Sequence, residues 1–215
     1  MCGRYRFDDG RDSIELKDII AAVNRRVVVE PIGPSGQAAP DGPSGEVFPG
    51  DVATVVASGR DMQPALFDMR WGYALSDGRR VINARSETAA QKPMFHDGMR
   101  NRRCAVPATR YFEWERAGRA RTKYAVWPSQ RAMFCMAGIY RIEDGKPVFT
   151  ILTREPAESI AFIHDRMPVI LPPDLATDWT NPRYSAEEML AHAVLDVSFA
   201  REEAAEQLTM DMLFE

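Results

Sequence analysis

Cys2 follows Met1 directly, and its side chain is small enough to permit removal of that methionine. The α-amine and thiol of one residue would then share a carbon framework. The amine can condense with an aldehyde, and the thiol can close on the imine to give a five-membered thiazolidine. A free α-amine titrates near ~8, far below lysine, so a useful fraction is neutral at cellular pH. The thiol, near ~8.5, is the better nucleophile once deprotonated. The competing reading is an incidental cysteine on a frayed terminus.

Three further constellations could serve such chemistry. In an extended RYFEWE segment, Tyr111 and Glu113 share one face, and Phe112 and Trp114 the other. A carboxylate beside aromatics is partly desolvated, which raises its pKa toward acid–base use. Glu115 is the local competitor by parity, and both glutamates could instead pair with Arg110 and Arg116. His164, in IHDRMP, suits proton exchange near neutrality, or caps a helix C-terminus as a cation. In NARSE, an extended chain places Asn83, Arg85 and Glu87 on one side. Asn83 could orient a hydroxyl or carbonyl, Arg85 could fork onto phosphate, and Glu87 could hold Arg85. The alternative is a surface hydrogen-bond cluster. His96 in a polar loop and His192 in a late helix read as structural or surface residues.

The elements that must position these groups are mostly strands. GRYRF at 3–7 reads as a short strand with Arg4 and Arg6 on one face. Asp12 and Glu15 suggest a capped helix continuing to Val23. A Pro/Gly-rich connection spans 31–50. Strands are expected at 51–57, at 65–75 with a break at Trp71-Gly72, and within 104–114, 123–128, 133–142 and 147–153. EDGK at 143–146 turns the last two into a hairpin. Helices are expected from Glu155 through Ile163, from a Ser185/Glu188 capping box, and over 198–208. No βαβ rhythm recurs. The pattern predicts a single α+β domain over 1–215: a curved or barrel-like mixed β-sheet core with flanking helices, and a helical C-terminal part over 181–215.

The 215 residues are 45% hydrophobic, enough for a sizeable core. Three cysteines argue against a disulfide scaffold and for a reducing, cytosolic setting. No run reaches transmembrane length, so no membrane partner is expected. Three scattered histidines give no metal-ligand spacing, and neither metal nor cofactor is expected. The net charge of −4 disfavours a broad duplex binder but leaves room for a small arginine-lined cleft.

Taken in order, Met1-Cys2-Gly3-Arg4, Asn83-Ala84-Arg85-Ser86-Glu87, Arg103-Cys104-Ala105-Val106-Pro107-Ala108 leading to Phe112-Glu113-Trp114, and His164-Asp165-Arg166-Met167-Pro168-Val169-Ile170-Leu171 resemble the SOS-response-associated peptidase (SRAP) family. The resemblance covers most of residues 1 to 180. It implies a barrel-like fold and covalent capture of abasic sites in single-stranded DNA. By carry-over, Cys2 forms the covalent bond, Asn83 orients the sugar, Glu113 transfers protons, and His164 assists ring opening. Arg4, Arg85, Trp71 and Pro49 are carried over as DNA contacts. Trp71 has two readings, a stacking wedge for a flanking base or core packing. Only Met1 precedes Cys2, so methionine aminopeptidase suffices for maturation, and a monomer is expected. Two features depart from the family: the loop after Trp71 is short, and Glu46 stands where the family has Asn ahead of Pro49. An added carboxylate there would repel phosphate. The rival functions are a thiol peptidase using Cys2 with His164, and a noncatalytic single-stranded-DNA-binding module.

Overall fold

The computed structural model describes residues 2–7, 45–117, 120–131, 133–172 and 175–202. Its centre is a closed five-stranded barrel. Strands β3 (Val52–Ser58), β4 (Pro64–Trp71), β8 (Arg103–Ala108), β11 (Phe134–Glu143) and β12 (Lys146–Arg154) run in the order β12-β4-β3-β8-β11, and β11 pairs with β12 again to close the ring. All pairings are antiparallel except β12 with β4. Closure removes the sheet edges at the ring.

Burial follows the pleat. Val55, Ala57, Met69, Trp71, Cys104, Val106, Phe134, Met136, Phe149 and Ile151 form the inner cluster. The alternate residues Val56, Ala105, Cys135, Ala137, Ile139, Val148 and Leu152 form a second cluster outside. The stretches 104–108 of β8 and 134–139 of β11 therefore read as continuous apolar runs, since both of their faces are covered. Helix α2 (Pro93–Asn101) lays Phe95 and Met99 on the outer cluster, and α3 (Ala176–Thr180) adds Trp179. The Trp179 indole N–H donates to the Cys104 and Gly138 carbonyls.

A second sheet has the order β15-β10-β9-β1-β2, built from β15 (Val197–Arg201), β10 (Ala120–Pro128), β9 (Arg110–Ala117), β1 (Tyr5–Arg6) and β2 (Glu46–Val47). Its Tyr5, Tyr111 and Val126 join the barrel's inner cluster. The short β7 (Asn83–Arg85) lies parallel to β12, and α1 (Ser86–Ala89) follows it at once. β5 (Tyr73–Ala74) and β6 (Arg80–Val81) form a small hairpin.

The barrel-like α+β expectation holds. The EDGK turn is present, with Asp144 and Gly145 at φ 48° and 76°, the left-handed pair that matches hairpin twist. The Ser185 hydroxyl accepts from the Glu188 N–H, capping α4 (Ala186–Ala191).

Several expectations are corrected. The helix expected over 155–163 is one 3-10 turn, Glu158–Ile160, because Ala157 is extended and its N–H turns to the Met167 sulfur. The final helix fails at 198–202, where the chain pairs with the free edge of β10 through residue 201; the rest of that stretch lies outside the described residues. The 181–215 part is therefore not purely helical. His96 sits in α2 rather than a loop: Pro93 starts the helix, and Phe95 and Met99 supply its buried stripe. The helix expected from Asp12 lies outside the described residues.

Gly138 faces the crowded barrel interior, where an added Cβ would lie 2.9 Å from the Cys104 sulfur and 3.2 Å from the Thr150 carbonyl oxygen. Gly138→Ala is therefore expected to lower stability by about 1–3 kcal/mol. Urea unfolding at constant m-value measures it, and an unchanged midpoint would show that the wall can yield.

Candidate active site

Residues at the start of the chain are drawn into the core rather than left at the surface. Cys2 is fully buried within the inner cluster. Its thiol lies 3.7 Å from the Arg4 carbonyl oxygen, which also accepts from the Phe112 N–H at 2.9 Å. That shared acceptor ties Cys2 to the stretch of β9 carrying Tyr111 and Glu113. From the other side, the Asn83 side-chain N–H donates to the Cys2 carbonyl at 2.8 Å. β7 holds Asn83 in place by pairing with Ile151 of β12. The Asn83 carbonyl oxygen is buried and has no hydrogen-bond partner among the described residues. An acceptor left open in this way is costly unless something else uses it.

Glu113 is 5% exposed. Its carboxyl is pushed up to about 7, by burial above all, with the nearby Asp165 charge contributing to the rise. Burial also pushes the Cys2 thiol well above its ordinary value, with the Glu113 charge adding to the effect. Both shifts favour the neutral form, and the thiol feels the Glu113 charge. The Tyr111 hydroxyl is buried without a hydrogen-bond partner among the described residues, and burial raises its pKa before the Cys2 and Glu113 charges add to the shift. Glu115, the parity competitor, instead accepts from the Tyr124 hydroxyl at 3.1 Å.

His164 lies at the rim, with its side chain 28% exposed. Its Nδ1 meets two groups with opposite demands. The Arg166 N–H donates to it at 3.0 Å, which requires the lone pair, and Asp165 approaches at 2.7 Å, which suits a proton on the same nitrogen. Nδ1 thus sits between a backbone donor and a carboxylate. Arg166 anchors the turn by donating to the Thr153 carbonyl and to Glu87, both at 2.7 Å.

The proposed phosphate ligands separate. Arg85 is exposed and makes no ion pair among the described residues. Glu87 does not hold Arg85: the chain turns helical at Ser86, breaking the strand parity, and Glu87 pairs with Arg166. Arg4 is ion-paired to Glu46 at 3.1 Å, and its guanidinium stacks over Phe48 and Trp114. Pro49 is exposed next to Phe48. Trp71 is fully buried: its indole N–H donates to the Ile82 carbonyl, and its ring stacks on Phe149. It offers no face to a base, so core packing is the reading that stands. Among the described residues, no group of three or more His, Cys, Asp or Glu side chains could hold a metal, and no helix is long and apolar enough to cross a membrane.

Sequence periodicity missed Arg6 and Lys123, which join Arg4 around Glu46 at 3.3 and 2.9 Å. The parity of Arg4 with Arg6 was a usable signal. Lys123 had none, because it arrives from a strand more than a hundred residues away.

A family model described as SOS response associated peptidase (SRAP) matches residues 1–210. The abasic site processing protein YoaM of Bacillus subtilis is 31% identical over 212 residues, covering 91% of this chain and 86% of the relative. YedK of Escherichia coli, also named an abasic site processing protein, is 29% identical, with 87% and 83% covered. The fold is shared with a phage-related protein from Bordetella bronchiseptica at TM-score 0.72 and 23% identity, over 94% of this chain and 95% of the other.

The raised carboxyl of Glu113 has a consequence for stability. Its folded pKa, about 7, lies above the unfolded value near ~4.3. The folded state therefore binds the extra proton, and this contribution is complete below the unfolded value and lost as pH rises through about 7. The wild type is expected to lose stability relative to Glu113→Gln between pH 4.5 and 7, by an amount on the order of a few kcal/mol. Denaturant midpoints against pH for both proteins measure this, and parallel curves would mean that Glu113 titrates normally.

Proposed function

Because this chain belongs to the SRAP family, we propose that it captures abasic sites in single-stranded DNA as a covalent thiazolidine on Cys2 once Met1 has been removed. One observation carries the reading. The Cys2 main chain is gripped by Asn83 beside a buried Glu113 whose carboxyl is poised at about 7. The names of the relatives, abasic site processing proteins, support the same substrate.

A deoxyribose lacking its base exists partly as an open-chain aldehyde. The Cys2 amine adds to C1′, and loss of water leaves an imine. The Cys2 sulfur then forms its bond to the same carbon while the imine nitrogen takes up a proton, closing the ring as a secondary amine. The steps balance as aldehyde plus aminothiol giving thiazolidine plus one water. A thiol whose pKa is raised by burial needs a base to take its proton, and a carboxyl near 7 is present in both states at neutral pH. Glu113 thus serves first as acid for the departing water and then as base for the thiol. His164, at the rim with Nδ1 between a backbone donor and a carboxylate, assists opening of the sugar ring. The open carbonyl oxygen of Asn83 suits a sugar hydroxyl. Arg85, exposed and unpaired among the described residues, is available for a backbone phosphate; such contacts position without reading sequence.

The test is intact mass after incubation with an abasic single-stranded oligonucleotide. The processed protein is expected to gain the oligonucleotide mass less one water. Cys2→Ala and Cys2→Ser should give no heat-stable adduct, and wild-type yield from either would overturn the assignment. A peptide cleaved by the Cys2–His164 pair without an adduct would favour a thiol peptidase.

Glu113→Gln and His164→Ala are each expected to slow adduct formation, by about 10²- to 10⁴-fold at most. The rate profile of the wild type should carry a limb near pH 7 that Glu113→Gln lacks. Unchanged single-turnover rates and profiles in both folded variants would remove them from the chemistry.

A further inference from the structure

We propose that Glu46 is an affinity-limiting residue that competes with backbone phosphate for Arg4, Arg6 and Lys123, so that this chain holds single-stranded DNA weakly until the covalent bond has formed. The inference rests on the reading above, in which Arg4 receives a phosphate.

The geometry is that of an occupied anion seat. Glu46 on β2 lies opposite Arg6 of β1 in register. One of its oxygens receives Lys123 at 2.9 Å and Arg6 at 3.3 Å, and the other receives Arg4 at 3.1 Å. Its side chain is 7% exposed, whereas the three cations are 20–29% exposed. The carboxylate is thus the buried centre and the cations are its outer ring. Burial pushes the Glu46 carboxyl up, but the Lys123 hydrogen bond and the charges of Lys123, Arg4 and Arg6 outweigh it and hold it below its ordinary value. It stays ionised throughout the physiological range.

Aromatic rings fix the cations where they stand. The Arg4 guanidinium lies 4.4 Å from the Phe48 ring centroid and 5.1 Å from that of Trp114. Lys123 sits 3.9 Å and Arg6 5.4 Å from the centroid of Phe112. Lys123 is further drawn on by Glu202 at 2.8 Å. Three positive groups therefore face two carboxylates, and a phosphate must approach a site that already holds negative charge. A guanidinium engaged by a carboxylate releases fewer counterions when DNA arrives, so it contributes less to binding. Glu46 and Phe48 come from the same short segment, which leads into the exposed Pro49. One loop thus supplies both the competitor and a wall of the seat. The thiazolidine needs no tight noncovalent complex, because a slow-reversing bond retains the lesion once formed.

Glu46→Gln keeps the side chain's size and its oxygen acceptor while removing the charge; Glu46→Asn is a second neutral variant. The probe is an undamaged single-stranded oligodeoxynucleotide, titrated by fluorescence anisotropy across salt. Both variants are expected to bind more tightly than wild type at low salt. Their salt slope should steepen by about 0.7, roughly fivefold in affinity per tenfold dilution of salt. Equal affinity and slope, or weaker binding by the folded variants, would overturn the inference. Wild-type adduct formation on saturating abasic oligonucleotide is measured in parallel. An adduct with no change in the variants refutes the role of Glu46 alone. No adduct, with the variants still binding undamaged DNA more tightly, refutes the Cys2 chemistry and leaves the competition standing.

Discussion

The structure depends on burying Cys2, the second residue of the chain, inside a hydrophobic core. A cysteine next to a chain end would ordinarily be solvated. Here it packs with Tyr5, Trp71 and Tyr111, where the second sheet meets the barrel. Its carbonyl is held by Asn83, and its thiol shares the Arg4 carbonyl with the Phe112 N–H. Desolvation then sets the protonation of the site. It raises both the thiol and the Glu113 carboxyl, so the thiol holds its proton while the carboxyl, at about 7, is present in both states near neutrality. In water the same carboxyl would be fully ionised at neutral pH.

Closing the barrel is what makes that burial affordable. β12 pairs with β11, β4, β7 and β13 (Met167–Pro168) along its length. It thereby carries Asn83 to one side of the site and brings in the turn that contains His164. Arg166 ties the same strand to α1 through Thr153 and Glu87. The site is thus assembled from β7, β9, the His164 turn and the residues leading into β1, all anchored directly or indirectly to one wall.

Charge is distributed with a clear asymmetry. The Glu113 carboxyl is raised by burial, while Glu46 is held ionised by three cations. Among the described residues, Arg4 is ion-paired and Arg85 is exposed without an ion pair.

Much of this was legible in the sequence. Cys2 behind Met1, Glu113 among aromatics and His164 before Pro168 stand out as candidates by residue type. Strand alternation gave the right faces for Arg4, Arg6, Tyr111 and Glu113, and the Asp144-Gly145 turn fixed a hairpin by local backbone preference alone. Local rules failed where the deciding partner was remote. Val197–Arg201 is a strand because β10 has a free edge, which no local periodicity reveals. Glu87 left Arg85 for Arg166 because the chain turned helical one residue earlier. Trp71 became core because Tyr5 and Phe149 close over it. Residue identity thus determined which groups could react. Only tertiary structure decided their pKa values and which cations remained free, because desolvation and ion pairing depend on neighbours that arrive from distant strands.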